Sequence, residues 1–407
     1  MRLSATASAL TITDRMTERA RSVDARAATR PDILPQYDGY AQYPRYLQRA
    51  KGAYVWDVDG NRYIDFCLGY GPVILGHGDE RVNGRAAAAT ANGGCFAPLW
   101  SPLQIELAEL LTSVIPGAEM CLMLKTGSDA TSAAVRLARI YTGRSAVLRW
   151  GYNGWHDWSV EQAAGVPTSV RENSRAFDFN DLDVLESLLS HGNDKVACVI
   201  TMPFWDDQVE ASHLSSIGEV ARRNGALFVL DEMRSGFRVA LGGAQQYLHV
   251  QADLAAYGKA MGNGHPISAL VGRRDILSKL SDTKVSSTYF AEPGSMAAAI
   301  ATIEILRDTD ALDHVWRLGE VFQNGLKTLT SRFGSAIEVV GYPPMPFMRF
   351  QSEDATTRFA VEQHFYSKTT AAGLLLHPNH QWFLSAAHTT GDIYQALEVI
   401  ELALETP

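Results

Sequence analysis

Long apolar runs are missing from this chain. No stretch of 18 apolar residues occurs, which excludes a transmembrane helix. Basic clusters are missing too: the net charge is −9, and no Lys/Arg-rich run offers nucleic acid an electrostatic footprint. Cysteine is scarce. Cys67, Cys95, Cys121 and Cys198 are scattered without metal-type spacing, so no metal site is expected. Cys121 and Cys198 sit in apolar, strand-like runs, which suits a reduced cytoplasmic setting better than a secreted disulfide scaffold. No internal repeat or low-complexity tract stands out. The first 30 residues are rich in Ala, Thr, Ser and Arg, as transit peptides are, but Asp14, Glu18 and Asp24 argue against that reading. An N-terminal helix packed on a partner subunit is expected instead, with Pro31 and Pro35 marking the break after it.

What is present is a chain of 407 residues with 46% hydrophobic content, enough for a sizeable core in two domains. Strand-like runs at 120–124, 145–149, 196–201, 227–231 and 267–271 alternate with helical stretches. That pattern predicts an α/β fold with a mostly parallel sheet between helices. The expected division is a large domain over 76–304, with 1–75 and 305–407 forming a smaller α+β domain.

Two residues carry the chemistry. Leu227–Leu230 is a continuous apolar run suited to a buried parallel strand, which puts Asp231 at the strand's carboxyl end. A buried acid there needs a cation facing it. Lys259 lies in a turn flanked by Gly258 and Gly262. One lysine amine and one carboxylate are what pyridoxal phosphate (PLP) chemistry requires: the amine forms a Schiff base with the aldehyde, and the carboxylate keeps the pyridine nitrogen protonated.

Other segments fit around that pair. Met120–Leu124 reads as a buried strand and Lys125–Ser128 as a turn of small residues. Asp129 then opens a helix with Ala130, Ala133, Ala134, Leu137 and Ala138 on one face and Gly143 at its end. A strand, a turn and a helix N-terminus make an anion site, although an ordinary strand-to-helix connection has the same pattern. Tyr152, between Gly151 and Gly154, presents an aromatic ring able to stack on the cofactor or to pack on the core. Thr288, in a polar loop before an Ala-rich run, could donate to a phosphate or serve a local role.

With these residues in view, the chain resembles the class III aminotransferases, a fold-type I PLP family, and within it the branch containing glutamate-1-semialdehyde 2,1-aminomutase. The resemblance runs from about Gly52 to Leu306 and again over Phe383–Ile393. Tyr54–Asp65 resembles the family's N-terminal hairpin and reads independently as two strands around an Asp-Gly turn. Leu75-Gly-His77, the phosphate turn Thr126–Ala130, Asp231–Arg238 and the approach from Asp253 to Lys259 carry the rest. The family fold implied is a large domain with a mostly parallel seven-stranded sheet between helices, plus a smaller α+β domain.

The resemblance makes Lys259 the Schiff base and proton carrier, and Asp231 the pyridinium partner. It makes Tyr152 the ring-stacking residue, Met233 the cover of the other ring face, and Gly127 and Ser128 the phosphate donors. Thr288 would reach the phosphate of the neighbouring subunit in a homodimer. Asn153 replaces the family's usual His, Asp129 its usual Glu, and Ala291-Glu292-Pro293 a common Gly-Asn-Pro. Asn153 and Glu292 are therefore candidates for the substrate side, with Tyr70, Arg45 and Arg349; Arg30 and Arg234 are further carboxylate-binding candidates. The implied function is a PLP-dependent aminotransferase that passes an amino group from a small-molecule donor to a keto acid or aldehyde acceptor, through the Lys259 aldimine and a pyridoxamine phosphate form. A glutamate-1-semialdehyde-type aminomutase or a racemase would use the same apparatus. A non-catalytic PLP-fold binding protein is the alternative of another class, and the intact Lys259 and Asp231 speak against it.

Overall fold

The computed structural model describes residues 11–29, 43–160, 164–190 and 195–405. Arg30, Pro31 and Pro35 lie outside them. The chain divides into two compact units, Gly69–Arg317 and the residues before and after it. The first strands among the described residues are β1 (Leu47–Lys51), β2 (Tyr54–Asp57) and β3 (Arg62–Asp65). β2 and β3 form an antiparallel hairpin about Asp59-Gly60. Asp57 holds that turn by accepting from the backbone amides of Asp59 (3.0 Å) and Asn61 (2.8 Å). The unit made of the residues before and after Gly69–Arg317 also holds the hairpin β11 (Ile337–Tyr342) and β12 (Met345–Phe350), and β13 (Leu374–Leu375) pairs in parallel with β3.

The unit Gly69–Arg317 is built on a seven-stranded sheet. Its strands are β4 (Met120–Leu124), β5 (Ala146–Trp150), β6 (Ser174–Ala176), β7 (Val196–Thr201), β8 (Leu227–Asp231), β9 (Leu254–Tyr257) and β10 (Ser268–Gly272). Their order is β4-β10-β9-β8-β7-β5-β6. β10 pairs antiparallel with both neighbours, and the remaining pairs are parallel. The turns after β4, β5, β7, β8 and β9 therefore open at one edge of the sheet, where ligand contacts gather in open α/β folds. β7, β8 and β9 are buried along their whole length, as continuous apolar runs between helices must be.

The helix Gly127–Thr142 explains how the edge is ordered. Ala130, Ala133, Ala134, Leu137 and Ala138 are buried against Leu124, Ile200, Val229, Ala256 and Leu270 of the sheet. Small side chains let the helix lie close to the strands. The helix starts two residues before Asp129: Thr126 is the N-cap, and Asp129 is the third residue of the first turn. The Thr126 hydroxyl accepts from the Asp129 amide at 3.1 Å, and the Asp129 carboxylate accepts from the Thr126 amide at 2.8 Å. This reciprocal pair satisfies amides that an isolated helix start leaves open. Gly143 ends the helix at φ 65°, a left-handed conformation that glycine adopts without a Cβ penalty. An N-terminal helix, Ile12–Val23, is also present. No helix among the described residues is long and apolar enough to cross a membrane.

Candidate active site

Asp231 ends β8 with its side chain only 3% exposed. Its carboxylate accepts from Asn153 Nδ2 at 3.1 Å and from the Met233 amide at 3.1 Å. Burial raises its pKa, and the Asn153 bond, the Met233 amide and the nearby Lys259 and Arg234 charges oppose that. The carboxylate thus lacks enough local compensation to sit at its ordinary value, and a cation placed against it would supply the rest.

Lys259 follows β9 with φ 47°, an uncommon conformation for a residue with a side chain. Such a residue costs about 1–3 kcal/mol unless its surroundings hold it. Burial, then the charge of Arg234, pushes the amine down to about 8, while Asp231 pulls the other way. An amine titrating there is substantially neutral near pH 8 and can act as nucleophile and base.

Met233 joins these turns. A Cβ on Gly127 would meet its Sδ at 3.0 Å, and a Cβ on Gly258 would meet it at 2.8 Å. The thioether therefore lies between the start of helix Gly127–Thr142 and the residue before Lys259. Ser268 Oγ donates to the Thr126 carbonyl at 2.7 Å and ties β10 to the same turn. The loop after β5 is laced to the helix as well. Thr131 Oγ1 donates to the Asn153 carbonyl at 2.7 Å, and the Trp155 amide donates to Ser128 Oγ at 3.2 Å. Gly154, at φ 110°, permits the approach: a Cβ there would sit 2.5 Å from Ser128 Oγ.

A flat cationic ring bearing an aldehyde and a phosphate finds suitable groups here. The ring cation would offset the buried Asp231, the amine of Lys259 would meet the aldehyde, and the first turn of helix Gly127–Thr142 would take the phosphate.

The structure places several sequence candidates differently. Asn153, expected at the substrate entrance, is 1% exposed and bonded to Asp231. Glu292 is the N-cap of helix Pro293–Asp308, accepting from the amides of Gly294 (2.6 Å) and Ser295 (2.9 Å), and it pairs with Lys125 at 3.2 Å. Those bonds commit both of its oxygens. Arg349 belongs to the other compact unit and pairs there with Glu338 at 3.2 Å. Arg45 also belongs to that unit and is exposed. Tyr152, Tyr70 and Thr288 are exposed in Gly69–Arg317. Arg234 is buried and donates to the carbonyls of Phe204 and Trp205. The site also contains Lys125 and Ser268, which sequence reasoning passed over. Lys125 stood in the phosphate-turn segment, but nothing in the sequence pointed to Ser268.

Residues 37–391 match the family described as Aminotransferase class-III. The chain is 36% identical over 370 residues to 3-aminobutyryl-CoA aminotransferase of Cloacimonas acidaminovorans, covering 89% of each chain. It is 33% identical over 392 residues to glutamate-1-semialdehyde 2,1-aminomutase of Methanothrix thermoacetophila, covering 89% of this chain and 90% of that one. Among solved structures, the PLP internal aldimine form of the FumI protein of Sphingopyxis sp. MTA144 superposes with a TM-score of 0.88 at 30% identity, over 96% of this chain and 95% of the other. The sheet, the grouped turns and these likenesses agree: the chain belongs to the class-III aminotransferases and is a PLP-dependent enzyme of that family.

Proposed function

We propose that Lys259 is the amine that captures the cofactor aldehyde and afterwards moves the substrate proton, in an enzyme that passes an amino group from a small amino donor to a keto acid or aldehyde. The convergence of Lys259, Asp231 and the Thr126–Ser128 turn on Met233 carries this reading. When bound, PLP supplies an aldehyde and an electron-accepting ring. Asp231, held by Asn153, would keep the proton on the ring nitrogen. The amides of Gly127 and Ser128 would hold the phosphate at the helix start. Met233 and Tyr152 would pack against the ring. Lys259, with its amine held near 8, is neutral often enough to accept a proton from the substrate carbon and return it at the next atom.

Tyr70 is proposed to border the substrate. Thr288 is proposed to reach the phosphate of a second copy in a homodimer. Since no disulfide joins the four cysteines, a reducing cytoplasm suits the chain. The smaller domain is proposed to comprise 1–75 and 305–407, with 76–304 as the PLP-binding domain.

An intramolecular amine shift is the second reading, favoured by the likeness to the aminomutase of Methanothrix thermoacetophila. A half-reaction separates the two. Adding glutamate, alanine or another simple amino donor to the yellow holoenzyme is expected to bleach it with one equivalent of keto acid released, and an acceptor should restore the colour. No bleaching by any donor, together with turnover of glutamate-1-semialdehyde, would decide for the aminomutase.

A further inference from the structure

The order of the sheet keeps two parts of the site apart. β10 lies between β4 and β9. The turn after β4 holds Thr126, Gly127 and Ser128, and the turn after β9 holds Lys259, so a whole strand separates them. Neighbouring strands lie about 4.8 Å apart, and two such intervals, about 10 Å, keep the strand ends before these turns from bonding directly. A molecule gripped at both turns is held well only if their separation is fixed. Met233 lies against Gly127 and Gly258, but a flexible thioether packs without direction.

Ser268 stands in the gap. It is the first residue of β10, and β10 runs antiparallel to both neighbours, so its start lies at the edge where β4 and β9 end. Ser268 is opposite Leu124 of β4, and Ala269 is opposite Tyr257 of β9. The Ser268 side chain is buried, with 1% exposure. Its hydroxyl donates to the Thr126 carbonyl at 2.7 Å. Its Cβ faces Gly258: a Cβ on that glycine would sit 3.3 Å away. One small side chain therefore touches the residue before Gly127 and the residue before Lys259. The hydrogen bond fixes more than a carbonyl. The Thr126 carbonyl and the Gly127 amide belong to one planar peptide, so holding the first aims the second. The same carbonyl accepts from the Ala130 amide at 3.2 Å, so the bond also reaches the first turn of the helix.

We propose that Ser268 is a positioning residue of the cofactor site: it sets the spacing and aim of the Thr126–Ser128 turn relative to Lys259, so that one small molecule reaches both. PLP carries its aldehyde and its phosphate on one ring. It gains from the second grip only where the first leaves that group in place. Ser268 itself acts through Thr126 and Gly258 rather than on the reacting atoms. The proposal rests on Lys259 as the cofactor amine and on the Thr126–Ser128 turn as the phosphate site.

The test compares one linked ligand with its two halves. The full chain is stripped of cofactor, and binding is followed by absorbance with PLP and, separately, with pyridoxal in the presence of saturating inorganic phosphate. The separate molecules fill both grips without being bound to one spacing. Ser268→Ala should weaken PLP binding roughly fivefold, as the loss of one buried hydrogen bond implies, and should bind pyridoxal with phosphate as the wild type does. If Ser268→Ala does not fold, as judged by circular dichroism, Ser268→Cys carries the same expectation, because the thiol keeps the size and is a weak donor. Unchanged PLP affinity in a folded variant overturns the proposal. Equal weakening of PLP and of the separate pair also overturns it, since that is damage to a grip and not to the spacing. The underlying assignments fail in other ways: a wild type that binds PLP no more tightly than pyridoxal overturns the phosphate turn, and a Lys259→Ala chain with the wild-type absorbance of bound PLP overturns Lys259.

Discussion

Asp231 is buried and Lys259 half-buried, and desolvation pushes each of these opposite charges towards its neutral form. Lys259→Ala should abolish transamination while the fold survives, because it removes the nucleophile and little core volume; wild-type turnover in that variant would overturn the assignment. Asp231→Asn should keep bound PLP yet lose most activity, since an amide cannot hold the ring nitrogen protonated; unchanged steady-state kinetics would make Asp231 structural. Glu232 gives a separate pH prediction. It is fully buried, accepts from the amides of Ala244 (2.9 Å) and Gln245 (2.8 Å) and from the Ser235 hydroxyl, and burial pushes it up to about 7 from 4.5. The folded state therefore keeps a proton that the unfolded state releases as pH rises from about 4.5. The stability contributed by this group is complete below 4.5 and lost as pH rises through 7, by on the order of 3 kcal/mol. Glu232→Gln, with no proton to release, should show a flatter melting temperature between pH 5 and 7 than the wild type, whatever its absolute stability; equal slopes would show that Glu232 does not titrate there. The residue scale is also where the sequence was least legible. Asn153 follows Tyr152 in a glycine-flanked turn, and nothing in that order says that its amide reaches Asp231 on another strand. Glu292 next to Pro293 gave no sign of its bond to Lys125, because that contact joins segments distant in the chain.

At the level of elements the sequence was far clearer. Apolar runs placed β4, β7 and β8, and the spacing of small residues placed the buried face of helix Gly127–Thr142. Both patterns are local, and both report burial directly. The helix start was less clear: Asp129 seemed to open it, whereas Thr126 does, because the cap is a reciprocal contact rather than a single residue preference. The direction of β10 was hidden for a similar reason. Ser268–Gly272 is as apolar as its neighbours, and strand direction depends on the path of the chain between strands. The capping pair can be tested by a mutant cycle. Thr126→Ala should cost about 1 kcal/mol, seen as a lower denaturation midpoint of the apoprotein, and Asp129→Ala should cost a similar amount. The double variant should lose little more than either single one, because each partner needs the other. Full additivity would show the two bonds to be independent.

For the molecule as a whole, the open question is what the loop carrying Thr288 does. Arg136 donates to the Lys284 carbonyl at 2.9 Å near the loop's start, and Lys125 pairs with Glu292 at its end. Both anchors lie on or beside helix Gly127–Thr142. Thr288, between them, is exposed, with its carbonyl 3.6 Å from Cys95 Sγ. A loop anchored at one end by Arg136 of that helix and at the other by Lys125 just before it, with Thr288 exposed between them, is suited to reaching a second copy. Light scattering should accordingly show a dimer or larger assembly, and Thr288→Ala should weaken PLP binding. A mixed-dimer experiment tells whether the residue acts within its own chain or across the interface. Lys259→Ala and Thr288→Ala chains, dissociated and reassembled together, form hybrids that carry both changes. If Thr288 serves the partner's cofactor, one site of each hybrid has both defects and the other has neither, so mixing restores full-affinity PLP binding at one site per hybrid. If Thr288 serves its own chain, each site keeps one defect and mixing restores nothing. A stable, active monomer would remove the basis for either outcome and return Thr288 to a local role in its loop.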